Sequence, residues 1–86
     1  MAILKSKTRL FRTSRYYLWV PRRRMIEVDY LLDGFEGLCL VRSLDGRLGL
    51  MEVMVSPGLE EDFEPVLKAL LVAYPEIRLA GERRLP

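Results

Sequence analysis

Three consecutive arginines, Arg22, Arg23 and Arg24, directly follow Pro21. Proline is favoured at the first position of a helix, so this run predicts cations at a helix N-terminus. Free backbone N–H groups there, joined by guanidinium forks, would capture a phosphate or a carboxylate. The same residues also fit a solvated charge run in which Arg23 pairs with Glu27, four residues on. Glu52 is a lone acid in the apolar stretch Leu50-Met51-Glu52-Val53-Met54. A carboxylate in that setting is either a general acid or base with a raised pKa or one half of an ion pair. Arg78, or an arginine of a partner subunit, is the expected mate. Cys39 has no cationic neighbour in the sequence to lower its pKa and reads as a small buried apolar residue. The chain has no histidine and one cysteine. That removes the usual metal ligands, the usual general base at neutral pH and any disulfide framework. The expectation is no metal, no cofactor and no catalytic residue.

The charges are unevenly distributed. Residues 1–24 hold eight basic side chains and no acid, while residues 25–86 hold six basic side chains and all twelve acids. A net charge of +2 thus conceals two opposed halves, and the basic one is suited to meet anions. Lys5, Lys7, Arg9, Arg12 and Arg15 could contact phosphates, with Phe11, Tyr16 and Tyr17 available for stacking; the alternative is a solubilising tail. An RNA-recognition domain of the standard kind would carry aromatics on its third strand. The corresponding stretch, residues 48–55, has none.

At 86 residues, half of them hydrophobic, the chain is one small domain with a narrow stability margin, which self-association would widen. No stretch approaches the roughly 20 apolar residues that span a bilayer. Asparagine and glutamine are absent, and arginine outnumbers lysine eleven to three. This composition fits a thermophilic bacterium, and the location expected is the cytoplasm.

The elements that must position these residues follow from periodicity. Residues 1–15 read as a mobile basic tail, residues 16–81 as the domain and residues 82–86 as a short C-terminal tail. Tyr16-Tyr17-Leu18-Trp19-Val20 has the composition of a strand. Met25, Val28, Leu31, Leu32 and Phe35 fall at helical spacing, and Gly34 is the expected stop. Two apolar runs, residues 38–41 and 48–55, flank Asp45-Gly46, a strong hairpin signal. Ser56-Pro57 predicts a helix cap. Leu59, Phe63, Val66, Leu67, Leu70, Leu71 and Tyr74 then form a helical stripe that keeps phase through Pro65, so a kink is expected there and not a break. Residues 77–80 alternate as a last strand. The order βαββαβ predicts an α+β, ferredoxin-like sandwich, a four-stranded antiparallel sheet with two helices on one face.

If Asp45 and Gly46 are the two turn residues, Val41 pairs with Leu50, Leu40 with Met51 and Cys39 with Glu52. Leu38, Leu40, Met51, Val53, Leu18 and Val20 then face the helices. Tyr17, Trp19, Cys39, Val41, Leu48, Leu50, Glu52 and Met54 lie on the open face. A solvated sheet face should be polar at alternate positions, so an apolar one suggests a covering partner: a second copy of the chain or another ligand.

Leu18-Trp19-Val20-Pro21-Arg22, Gly34-Phe35-Glu36-Gly37-Leu38 and the closing strand resemble the ACT-type regulatory domains over residues 16–80. That resemblance implies a ferredoxin-like module that dimerises and binds an amino acid. Those domains typically have a glycine in the loop where Pro21 to Arg24 stand here. Residues 32–38 with residues 41–45 are similar to a small bacterial family with no assigned function, which implies the fold alone. The resulting expectation is a non-enzymatic regulatory or interaction module. It would self-associate through its sheet as a homodimer and bind a small anion at Arg22, Arg23 and Arg24. The alternative is a nucleic-acid-binding protein using the basic N-terminal segment and the same three arginines.

Overall fold

The computed structural model describes residues 13–83. Its elements run β1 (Ser14–Trp19), α1 (Arg22–Asp33), β2 (Cys39–Asp45), β3 (Leu50–Val55), α2 (Glu60–Ala73) and β4 (Arg78–Arg83). The strands form one antiparallel sheet in the order β2-β3-β1-β4, the ferredoxin-like arrangement expected from the sequence. Among the described residues no helix is long and apolar enough to cross a membrane.

The core lies between the sheet and the two helices. Tyr16, Leu18 and Val20 from the first strand and its exit, with Met51, Val53 and Val55 from β3, meet Val28 and Leu32 of α1 and Phe63, Leu67 and Leu70 of α2. Side chains alternate across a strand, so every second residue of β1 and β3 reaches this layer. The Tyr16 and Phe63 rings sit 5.1 Å apart at a 41° tilt and join β1 to α2. Burying each large side chain here contributes roughly 1.5–3 kcal/mol.

Helix α2 runs unbroken through Pro65. Glu60, Glu61 and Asp62 occupy its first turn, where the helix dipole favours acids. Its start corrects one expectation. Ser56 does not cap it: the residue preceding the helix is Leu59. The Ser56 hydroxyl instead donates to the Gly37 carbonyl at 2.7 Å and ties the two loops together.

The β2–β3 connection carries a larger correction. It is not a two-residue turn. Asp45 closes it by accepting the N–H groups of Arg47 and Leu48 on Oδ1, both at 3.0 Å, and the Gly49 N–H on its carbonyl at 2.9 Å. Gly49 has φ +80°, and its carbonyl accepts the Val20 N–H at 2.7 Å. A Cβ there would lie 2.2 Å from the Val20 carbonyl oxygen, so only glycine fits. The longer loop, with a bulge between Ser43 and Asp45, moves the register of β2 by an odd number of residues. Val41 therefore pairs with Val53 and packs against the core, not on the open face where it was expected. Leu40 pairs with Met54 and takes its place, 54% exposed. An odd slip turns every side chain of a strand over.

Candidate functional site

The side of the sheet away from the helices is built from four rows of side chains. Residues paired across strands share a face. The pairing therefore places Arg15, Tyr17 and Trp19 of β1 beside Leu50, Glu52 and Met54 of β3. Leu40 and Arg42 of β2 lie beyond β3, and Arg78, Gly81 and Arg83 of β4 lie beyond β1. Of the open-face set expected from sequence, Tyr17, Trp19, Leu50, Glu52 and Met54 share this surface.

Glu52 is its centre, and its side chain is only 3% exposed. Arg42 Nε donates to Oε1 at 2.7 Å, and Arg15 reaches Oε2 at 3.3 Å from across β3. Burial pushes the pKa of Glu52 up; the Arg42 hydrogen bond, the neighbouring Tyr17 hydroxyl and the two guanidinium charges outweigh it, and the net shift is downward. The group is thus an ionised, fully partnered carboxylate at neutral pH. It has no proton to give as a general acid, and its lone pairs are engaged. The mates are Arg42 and Arg15, not the expected Arg78.

Around this pair network the face is a mixture of flat apolar surface and cations. Trp19 is 39% exposed, and Tyr17, Leu50 and Met54 are half-buried. Four arginines, Arg15, Arg42, Arg78 and Arg83, stand against Glu52 and Asp45. Asp45 Oδ1 is already held by its own loop. Arg78 and Arg83 are exposed and have no ion pair among the described residues.

The helix-start arginines meet a different environment. Arg24 contacts Glu27 at 3.3 Å and Glu76 at 3.4 Å, and its guanidinium lies 5.7 Å from the centre of the Tyr74 ring. Arg23 reaches Glu76 at 3.6 Å, and the Tyr74 hydroxyl donates to Glu27. The Glu76 hydrogen bond, then the Glu27 charge, hold Arg24 firmly protonated. The pKa of Glu76 is lowered chiefly by its own backbone N–H, against the opposing effect of burial, with Arg24 and then Arg23 adding to the downward shift. Glu27 is thus tied to Arg24 and not to Arg23, the partner expected at i,i+4. Glu76, distant in sequence, already occupies the place of an external carboxylate, and of these three arginines Arg22 has no ion pair among the described residues. No acid lies in the first turn of α1, and Pro21 makes no side-chain cap.

Cys39 is buried, donates weakly to the Leu32 carbonyl at 3.9 Å, and has its thiol pKa raised by burial and by the Asp33 charge. That environment opposes thiolate chemistry. A cavity of about 200 Å³ lies between the helices, lined by apolar side chains such as Leu31, Phe35, Val66 and Ala69. Lys5, Lys7, Arg9 and Arg12 lie outside the described residues, whereas Arg15, expected with them in the tail, is part of β1. Reading the sequence missed Arg42 and Arg83, and named Arg78 only as a mate for Glu52. The signal that could have found Arg42 was the glycine at 49, which argues for a longer loop and so for the flipped β2.

No curated protein and no solved structure matches the chain. The profile of one family, the domain of unknown function DUF4911, matches residues 18–71, from β1 into α2. The span includes Arg42 and Glu52, and the chain belongs to the DUF4911 family.

Proposed function

We propose that the chain is a non-enzymatic binding module whose open sheet face holds a nucleic acid. The observation that carries this reading is the convergence of Arg15, Arg42, Arg78 and Arg83 on one face that also bears Tyr17 and Trp19. Arginine supplies phosphate contacts, and the exposed Trp19 beside the half-buried Tyr17 offers flat surface to bases. The basic segment before β1 adds charge of the same sign. The helix-start arginines are not required, because Arg23 and Arg24 are engaged by Glu76 and Glu27.

A second reading is a homodimer packed sheet against sheet. The exposed apolar side chains of Leu40 and Trp19 favour it, as does the likeness to ACT-type domains. Against it stands charge: two identical faces would bring like-charged arginines together. A small anion at Arg22, in the manner of a sensor, is weaker still for want of a free partner arginine. The composition supports a thermophilic, bacterial source and a cytoplasmic location.

Light scattering of the full chain, at low and high salt, with and without a generic RNA, tests the proposal. A complex that forms at low salt and dissolves at high salt supports it. A salt-resistant dimer that ignores RNA supports the second reading and sinks the first.

A further inference from the structure

We infer that the nucleic acid held on the open face is single-stranded, with bases stacked on Trp19 and Tyr17 and phosphates following Arg78 and Arg83 along β4. This rests on the nucleic-acid reading above and goes further, because it names the form of the ligand and its track.

Three observations carry it. Tyr17 and Trp19 are two residues apart on β1 and point the same way, so their Cα atoms are about 6.8 Å apart along the strand. That is a platform for successive unstacked bases, whose faces are hidden in a duplex. Second, the four arginines are unequal. Arg15 and Arg42 are drawn onto Glu52, while Arg78 and Arg83, on the edge strand, have no acid to hold them among the described residues. Cation strength is therefore concentrated along β4, beside the aromatics. Third, Gly81 stands between those arginines, opposite Tyr17. Even a Cβ there would come within 4.0 Å of the Tyr17 ring, and glycine keeps that side of the ring clear.

The β2 side of the face has the opposite character. Arg42 is spent on Glu52, and Leu40 beyond it is apolar. The phosphate track thus runs on one side of the stacking pair only. Charge complementarity selects a polyanion, and the exposed indole selects one with accessible bases.

The experiment is fluorescence anisotropy of one labelled oligonucleotide, single-stranded and as its duplex, against the full chain and the variants Trp19→Ala and Trp19→Phe. Circular dichroism confirms that each variant is folded. The expected result is tighter binding of the single strand, about a tenfold loss for Trp19→Ala, and recovery of most of it in Trp19→Phe. Duplex bound as tightly as single strand, or Trp19→Ala binding like the parent chain, overturns the stacking inference and leaves the nucleic-acid reading standing. Binding of neither form at low salt overturns both.

Discussion

The chain has two arginine clusters, and they are opposites. One is contiguous in sequence, at 22, 23 and 24, and is largely neutralised in space by Glu27 and Glu76. The other is scattered in sequence, at 15, 42, 78 and 83, and is assembled by strand pairing onto one face with a single buried carboxylate at its centre. A run of like charges attracts attention in a sequence, yet the fold supplies its counter-ions from residues far along the chain. Surface arginines on three different strands attract none, yet the sheet sums them. Available charge, and not local charge density, distinguishes the two clusters.

The comparison can be broken at its foundation. Gly49 sets the register that puts Arg42 beside Glu52. In Gly49→Ala the new Cβ meets the Val20 carbonyl in a positive-φ position, and the expected loss is about 4 kcal/mol by urea unfolding. A near-neutral result would mean that the loop can adopt another register.

The two carboxylates should differ next. Glu52→Ala removes a 3%-exposed charge and leaves Arg15 and Arg42 facing each other; the expected cost is about 2–4 kcal/mol, limited because Arg42 reaches solvent. Glu76→Ala, at the solvated clamp, should leave the urea midpoint close to that of the parent chain. Equal losses would erase the distinction between clusters.

Acid titration sharpens the same contrast. The folded pKa of Glu52 lies below its unfolded value, so its contribution is fully present above about pH 5 and declines as pH falls through the carboxylate range. Arg42→Ala removes the largest cause holding that pKa down and should flatten the dependence, measured as urea midpoint against pH from 7 to 3. An unchanged slope would show that Arg42 does not set the ionisation of Glu52.

The smallest stability effects belong to the residues with the largest assigned role. Arg78→Ala and Arg83→Ala should each change stability by less than about 0.5 kcal/mol, because both are exposed and without ion pairs among the described residues. A larger loss in urea unfolding would mark them as structural.

Much of this architecture was legible in the residues. The helical stripe from Leu59 to Tyr74, the β-branched and aromatic composition of β1, and the two apolar runs around Asp45-Gly46 give the βαββαβ order directly. The open-face placement of Tyr17, Trp19, Glu52 and Met54 followed from alternation within single strands. What alternation cannot provide is the register between strands. Asp45-Gly46 suggested a tight turn, and only the Asp45 side-chain hydrogen bonds and the close approach of Gly49 to Val20 reveal the longer loop. Val41 and Leu40 changed faces as a result, and Arg42 came to Glu52. Likewise, nothing local ties Glu76 to Arg23 and Arg24, since 52 residues separate it from Arg24.

The most direct test uses Trp19, the only tryptophan, as its reporter. Its fluorescence would be titrated with a single-stranded oligonucleotide across a salt series, in the full chain, in Arg78→Ala/Arg83→Ala and in Arg22→Ala/Arg23→Ala. The account predicts that the sheet pair weakens binding and lowers the slope of log affinity against log salt by about 1.4, roughly 0.7 for each lost phosphate contact, while the helix pair leaves both nearly unchanged. A loss confined to the helix pair would contradict it, and would return the binding site to the contiguous arginines.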